Sequence, residues 1–133
     1  MARRRWIKLW TEETLHGTTS TELDPAERWV WIGLLLLAGD SPIPGTVCVG
    51  LGISYSDIQL SRILRIEGKT LQQARAKMVK AEKLTVGSDG CITINNWAKY
   101  QPAWDEDEYH REYMRRYRAR KGEVKVHNMK VNA

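Results

Sequence analysis

Residues 56–97, SDIQLSRILRIEGKTLQQARAKMVKAEKLTVGSDGCITINNW, decide the fold of this chain. Ser56-Asp57-Ile58-Gln59 and Thr70-Leu71-Gln72-Gln73 both match the capping box, in which a hydroxyl side chain and a Glu or Gln three residues later satisfy the first backbone N–H groups of a helix. Two apolar triplets, 84–86 and 92–94, flank the turn sequence Gly87-Ser88-Asp89-Gly90, which indicates a β-hairpin. The stretch therefore predicts a helix over 56–64, a second helix over 70–83 and a hairpin.

The apolar positions of these two helices predict which side of each is buried. In the second helix they recur at i, i+3, i+7 and i+10, which is the spacing of one helical stripe. The residues that we expect to face the core are Ile58, Leu60, Ile63 and Leu64 in the first helix and Leu71, Ala74, Met78 and Ala81 in the second.

The first half of the chain predicts further elements. Asp24-Pro25-Ala26-Glu27 is a strong helix start, with an N-cap acceptor, a proline at N1 and a Glu that completes the box. This helix runs to about Ala38 and is apolar on nearly every side, so we expect it at the centre of the fold. Residues 46–49 predict a short strand that pairs with the hairpin, residues 6–10 a strand or extended segment, and residues 11–23 a turn or short helix at Gly17.

A basic helix followed by a hairpin is the arrangement that places one helix in the major groove of DNA and a loop beside it. The predicted fold class is α+β, a winged helix-turn-helix with a small antiparallel sheet and an extra basic C-terminal helix. The expected organisation is a winged-helix domain over 1–103, the basic helix over 104–121 and a mobile tail over 122–133.

The charge of the chain is segregated along the sequence. The net charge is +5, yet residues 11–64 carry −5, with seven acids against Arg28 and Arg62. Positive charge is concentrated in residues 1–10 (+4), 65–83 (+4) and 109–133 (+6). Such segregation is typical of a protein that binds a polyanion on one face, which favours double-stranded DNA as the partner.

The predicted DNA-binding residues lie in the second helix, the hairpin turn and both ends of the chain. Glutamines near the helix start can pair with adenine edges, whereas lysines and arginines hold phosphates. The candidate residues are Lys69, Thr70, Gln72, Gln73, Arg75, Ala76, Lys77, Lys80, Ser88, Arg3, Arg4, Arg5, Arg115, Arg116, Arg118, Arg120 and Lys121.

Other classes of function find no support in the residues. The three histidines stand apart from any Ser-His-Asp or Cys-His grouping, and no glycine-rich run closes with Gly-Lys-Ser/Thr, so neither an enzyme nor a cofactor is predicted. Cys48 and Cys91 lie in apolar stretches without paired metal ligands, so we expect buried thiols and no metal. The apolar run 29–38 is too short to span a bilayer, and a cytoplasmic protein without a membrane partner is expected.

Two alternatives remain open at this stage. Tyr109, Tyr113 and Tyr117 recur every four residues beside arginines, which would suit a protein–protein adaptor or a homodimer formed through the C-terminal helix. A transcriptional repressor would share the same DNA-binding chemistry.

Several blocks of the sequence resemble one known family. They are Trp6-Ile7-Lys8-Leu9, Arg28-Trp29-Val30-Trp31, Pro44-Gly45-Thr46-Val47-Cys48, Ile92-Thr93-Ile94-Asn95-Asn96-Trp97-Ala98-Lys99-Tyr100-Gln101 and the Arg-Tyr-rich helix after it. Over residues 6–121 the chain is similar to the N-terminal domain of phage replisome organisers, relatives of DnaD-type primosomal proteins. The resemblance implies a winged-helix domain that binds origin DNA in the host cytoplasm and helps recruit a helicase loader or another replication protein. Longer relatives carry a second, C-terminal domain for these protein contacts, so DNA binding is the expectation we take forward.

Overall fold

The computed structural model of the chain describes residues 4–102, 111 and 114–120. The chain divides into two units, Met1–Gln101 and Pro102–Ala133. The elements of the first unit are α1 (Thr11–His16), α2 (Thr18–Thr21), α3 (Pro25–Gly39), β1 (Thr46–Val47), α4 (Asp57–Leu64), α5 (Gly68–Lys80), β2 (Leu84–Val86), β3 (Ile92–Ile94) and α6 (Trp97–Tyr100). Helices with one small antiparallel sheet confirm the predicted α+β class.

The start of α3 is the capping box that the sequence predicts. The Glu27 N–H donates to Asp24 Oδ1 at 2.8 Å, and the Asp24 N–H donates to Glu27 Oε1 at 2.9 Å. The helix buries Val30, Leu34, Leu35 and Ala38. Trp29 and Leu36, however, are 46% and 44% exposed, so the apolar surface of this central helix is covered on most sides but not on all. The neighbours of α3 are α2, α4, α5 and the sheet, and they cover these two side chains only in part.

The second predicted capping box is also present, at the start of α4. The Gln59 N–H donates to Ser56 Oγ at 3.1 Å, and the Ser56 N–H donates to Gln59 Oε1 at 2.8 Å. The helix buries Leu60 and Leu64 as expected. Ile58 and Ile63 are 66% and 48% exposed, which contradicts the prediction that they face inward. Ile58 lies about 200° around the helix from Leu60, so one short helix cannot bury both against the same neighbours.

A three-residue turn, Arg65–Glu67, joins α4 to α5. Arg65 adopts the left-handed conformation (φ 55°, ψ 53°), and the Ile66 N–H donates to the Ser61 carbonyl at 3.0 Å, which ends α4. Glu67 is the N-cap of α5, without a side-chain capping bond, and Thr70 is already inside the first turn. The predicted start at Thr70 was therefore wrong, because the tight turn brings the chain into helical conformation at Gly68.

The sheet has the order β1-β3-β2, and both strand pairs are antiparallel. The predicted hairpin is confirmed, with its turn over 87–90 and the register Val86↔Ile92 at its inner end. The predicted pairing of the 46–49 segment is confirmed for Thr46 and Val47. Side chains of β1, β2 and β3 join those of α3, α4 and α5 in a single core made of Leu23, Val30, Leu34, Leu35, Ala38, Val47, Leu60, Leu64, Leu71, Ala74, Met78, Leu84, Ile92 and Ile94.

The N-terminal segment, residues 4–10, is neither helix nor strand, and it is held by the chain after β3. The buried side chain of Gln101 accepts the Lys8 N–H at 2.8 Å and donates to the Lys8 carbonyl at 2.6 Å. The Trp10 ring contacts Tyr100 edge-on, with centroids 5.1 Å apart. The Asn-Trp-Ala-Lys-Tyr-Gln block thus anchors the N-terminal segment to the domain.

In the second unit, residue 111 and residues 114–120 are helical, in agreement with the predicted C-terminal helix. The rest of the predicted 104–121 helix and the whole of the predicted mobile tail lie outside the described residues.

Candidate nucleic-acid interface

One side of α5 is turned toward solvent because the opposite side belongs to the core. Leu71, Ala74 and Met78 are fully buried. The side chains on the outer side are exposed, and we call this surface the α5 face: Lys69, Gln72, Gln73, Ala76 and Lys80. Lys69, Gln73, Ala76 and Lys80 follow the spacing i, i+4, i+7, i+11, so they form one line along the helix. Sequence-predicted residues are therefore brought together here.

One flank of the α5 face is tied to α4 by an ion pair. The two terminal nitrogens of Arg75 donate to the two carboxylate oxygens of Asp57, at 2.7 and 2.9 Å. This hydrogen bonding, with the charge of the guanidinium, lowers the pKa of the Asp57 carboxyl, and it raises the pKa of Arg75. Such a bidentate ion pair constrains the angle between α4 and α5 as well as their separation.

The other flank is tied to α3. Lys77 Nζ donates to Glu27 Oε1 at 2.7 Å, and the Glu27 side chain is only 1% exposed. The same oxygen accepts the Asp24 N–H that completes the α3 capping box. The hydrogen bond to Glu27 raises the pKa of the Lys77 ammonium. Lys77 therefore neutralises the buried carboxylate of Glu27, which also caps the start of α3.

These pairs revise the expected role of two candidate residues. Arg75 and Lys77 were expected to be solvent-facing cations for phosphates, but each is engaged by a carboxylate of another helix. The sequence could not show this, because the partners lie 18 and 50 residues away in the chain. Among the residues that the structure describes, Lys69 and Lys80 of α5 have no ion pair, and Thr70 is half-buried in the first turn.

A groove between α4 and the start of α5 adds one cation that the sequence analysis missed. It has a volume of about 420 Å³, and its lining includes Ile58, Arg62, Gly68 and Gln72. Arg62 is exposed and belongs to a stretch whose net charge is negative, so its position in the sequence gave no reason to select it. The helix pair places it beside Gln72 of the α5 face.

The hairpin turn is exposed but contributes no cation. The Cys91 N–H donates to Asp89 Oδ1 at 2.9 Å, and the Gly90 N–H donates to the Gly87 carbonyl at 3.0 Å, so the turn is closed by its own residues. Ser88 is exposed at its tip, as predicted.

Of the two N-terminal arginines that the structure describes, Arg5 is exposed and Arg4 is buried. Arg4 is 8% exposed, and its side chain donates to the carbonyls of Trp6 and Gln101 at 3.3 and 3.1 Å. The expectation that Arg4 adds surface charge was wrong, because residues 4–10 pack on the chain after β3. Arg5 is exposed, and Arg3 lies outside the described residues.

Lys83 is a cation outside the α5 face. It follows the end of α5, and its ammonium lies 4.9 Å from the ring centre of Trp31 in a cavity of about 370 Å³. Burial there lowers the pKa of Lys83.

The second unit has its own group of exposed arginines. Arg115, Arg116, Arg118 and Arg120 are exposed on the helical residues 114–120, and Lys121 lies outside the described part. Of the tyrosine stripe, Tyr117 is described and is 46% exposed, whereas Tyr109 and Tyr113 are not described.

Within the described residues, no group of three or more His, Cys, Asp or Glu side chains could hold a metal ion. In the same residues, no helix is both long and apolar enough to cross a membrane. Cys48 and Cys91 are buried free thiols, as expected.

The fold and the site define an α+β domain that presents a polar, lysine-bearing helix to solvent. The family model of the N-terminal phage replisome organiser matches residues 20–123, and the chain belongs to this family. Membership implies a role in phage DNA replication. No curated protein and no solved structure matches the chain.

Proposed function

We propose that this chain binds double-stranded DNA as a winged-helix module in phage replication initiation, with α5 as the recognition helix and the β2–β3 hairpin as the wing. The observation that carries the proposal is the α5 face, where two lysines, two glutamines and an alanine are exposed on a helix whose opposite side is core. A helix in the major groove needs such small and polar side chains along the line that meets the base edges.

The chemistry of the face divides into two roles. Gln72 and Gln73 have amide groups that can donate to and accept from adenine in the major groove, and Ala76 leaves room for a thymine methyl group. Lys69 and Lys80, near opposite ends of α5, would contact phosphates and position the helix without reading sequence. Arg62, beside the same groove as Gln72, would add a phosphate contact from α4.

The ion pairs on the two flanks support the proposal because they connect α5 to the helices beside it. Arg75 fixes α5 to α4, and Lys77 fixes it to α3, so the exposed line keeps its geometry before DNA arrives. A preorganised surface loses less conformational entropy on binding. We therefore assign Arg75 and Lys77 to positioning the helix, while Lys69, Lys80 and Arg62 contact DNA.

Cations outside α5 would contribute a sequence-independent share of the affinity. Arg5 in the first unit and the arginines of residues 114–120 in the second are exposed, which supports this part of the proposal. Neither a cofactor nor a catalytic step is part of the proposed function. The family membership favours replication over transcriptional repression as the setting.

The proposal is tested by fluorescence anisotropy of the full chain with a labelled random-sequence duplex between 50 and 200 mM salt. The double variant Lys69→Ala/Lys80→Ala should bind every duplex more weakly. The plot of log K against log salt concentration should become less steep by about 2, because each lysine is expected to contact one phosphate. Lys99→Ala, which removes an exposed lysine from α6, serves as the control and should change little.

A second arm separates base reading from phosphate contact. Gln73→Ala should change the ranking of duplex sequences selected from a random pool while the salt slope stays the same. If the double lysine variant binds like the wild type, or if Lys99→Ala weakens binding as much, the α5 face is not the DNA-binding surface.

A further inference from the structure

Cys48 and Cys91 face each other across the β1–β3 pair. The register Thr46↔Thr93 and Val47↔Ile92 makes them the next opposed residues at the end of β1. The Ile94 N–H donates to the Gly45 carbonyl at 2.8 Å, so hydrogen-bonded pairs alternate from Gly45/Ile94 to Val47/Ile92. Extended by one residue beyond the ladder, the same register opposes Cys48 to Cys91 at a non-hydrogen-bonded position, where opposed Cα atoms are typically about 4.5 Å apart. This separation falls within the range of about 4.4–6.8 Å found in disulfides.

Both sulfurs lie on the same side of the sheet. Val47 and Ile92 point into the hydrophobic core, so their neighbours Cys48 and Cys91 point to the other side. There Cys48 Sγ is 3.4 Å from the hydroxyl of Ser41. Cys48 is near enough to Cys91 to contribute to the raised pKa of the Cys91 thiol. The two thiols are 2% and 6% exposed.

We propose that Cys48 and Cys91 are a modification site, a dithiol that a small-molecule disulfide oxidises to a cross-strand disulfide within the folded domain. The Cys91 thiolate attacks one sulfur of the small disulfide, whose S–S bond breaks and releases the first small thiol. Cys48 then attacks Cys91 Sγ of the mixed disulfide, the Cys48–Cys91 bond forms and the second small thiol leaves. Two electrons pass from the protein to the small disulfide, and the two cysteine protons end on the released thiols.

The order of attack follows from position. Cys91 is the more exposed of the two and directly follows the hairpin turn, whereas Cys48 is covered by Ser41. Burial, the Asp89 carboxylate and the nearby Cys48 raise the pKa of the Cys91 thiol. Little thiolate is therefore present at neutral pH, and the rate should rise with pH up to that raised value.

The bridge would have a large effect on the domain because of what it encloses. The chain between the two cysteines contains α4, the turn, α5 and β2. Closing so long a loop restricts the unfolded chain strongly. The disulfide would also link the residue after β1 to the residue before β3, directly after the hairpin turn.

The experiment incubates the folded full chain with oxidised glutathione at pH 8.5, followed by acid quenching, alkylation of remaining thiols and mass measurement of the intact protein. We expect a monomer that has lost both alkylatable thiols and carries no glutathione, with one cross-linked peptide that joins Cys48 to Cys91. Its midpoint of urea unfolding should rise by about 1–3 M and return to the starting value after reduction.

Cys48→Ser and Cys91→Ser provide the controls, since neither can close the ring. Each should stop at a mixed disulfide or keep its thiol, and glutathione should leave its urea midpoint unchanged apart from effects of the adduct. A wild-type product with two glutathiones, a disulfide-linked dimer, or two thiols that survive oxidation for a day would each overturn the proposal. The comparison of oxidised with reduced wild type does not depend on the folding of either variant.

Discussion

Both terminal nitrogens of Arg75 in α5 donate hydrogen bonds to the carboxylate of Asp57, the first residue of α4, at 2.7 and 2.9 Å. The pair spans the helix–turn–helix arrangement from the start of one helix to the middle of the next. Arg75, which the sequence predicts to contact DNA, is thereby engaged within the domain, where it helps to set the orientation of α5 relative to α4.

The Asp57–Arg75 pair should make the stability of the domain depend on pH in acid solution. Because the pKa of Asp57 is lowered in the folded state, its contribution is complete above the unfolded value of about 3.9 and is lost as the pH falls through the folded value. Asp57→Asn should lower the free energy of unfolding at pH 6 by about 0.5–1 kcal/mol, since both side chains are partly solvated. Urea unfolding at pH 6 and pH 3 should show the difference from wild type shrinking at pH 3.

The control for this measurement is Glu12→Gln, which removes an exposed carboxylate of α1. If its difference from wild type has the same size and pH dependence as that of Asp57→Asn, the effect comes from overall charge rather than from the pair with Arg75.

The Lys77–Glu27 pair should stabilise the domain, in contrast to the neighbouring Lys80. Lys77→Ala leaves the buried Glu27 carboxylate without its cation, so the melting temperature should fall more than for Lys80→Ala on the α5 face. The double variant Glu27→Gln/Lys77→Ala should recover part of the loss, because the amide oxygen still accepts the Asp24 N–H and no charge is buried. Thermal unfolding followed by circular dichroism measures all three, and equal melting temperatures for Lys77→Ala and Lys80→Ala would refute the assignment.

Replacing Arg65, the left-handed residue that ends α4, by glycine should stabilise the domain. Arg65 has φ 55° and ψ 53°, a conformation that costs a residue with a Cβ about 1 kcal/mol but is open to glycine. Arg65→Gly should therefore raise the free energy of unfolding by about 0.5–1 kcal/mol. Arg62→Gly, three residues earlier inside α4, should lower it by about 1 kcal/mol. Urea unfolding of the two variants should give opposite signs, and a loss for both would show that the Arg65 side chain stabilises the turn.

The Gln101 side chain should be necessary for holding the N-terminal segment. Gln101→Ala removes both hydrogen bonds to the Lys8 backbone and leaves those groups without the partner they have in the fold, at a cost of about 1–3 kcal/mol. Hydrogen exchange of the Lys8 amide should become faster. Lys80→Ala, which removes an exposed lysine of α5, should leave that exchange unchanged. Unaltered protection of Lys8 in Gln101→Ala would show that other contacts hold the segment.

Local sequence signals succeeded where the interaction they describe is itself local. The boxes at Asp24–Glu27 and Ser56–Gln59 each join residues three apart, and both are present in the structure. The hairpin is likewise determined by four turn residues and their flanking triplets. The similar box at Thr70 failed because the start of α5 is determined by the turn that precedes it, which depends on how α4 and α5 pack.

Burial was predicted less well than helix position. Ile58, Ile63, Trp29 and Leu36 are apolar, and all four are substantially exposed. Hydropathy shows which side chains would gain by burial, but a small domain has only enough neighbours to cover some of them.

The sequence by itself determined the fold class, the positions of α3, α4 and the hairpin, and the excess of positive charge on the segment that becomes α5, because capping, periodicity and turn formation act over a few residues. Only the tertiary structure decided which cations remain for a partner. Arg4, Arg75 and Lys77 are engaged by groups 97, 18 and 50 residues away, whereas Lys69, Lys80 and Arg62 are left on the surface. The physical reason is that the availability of a charge depends on which acceptors the fold brings within about 3 Å of it.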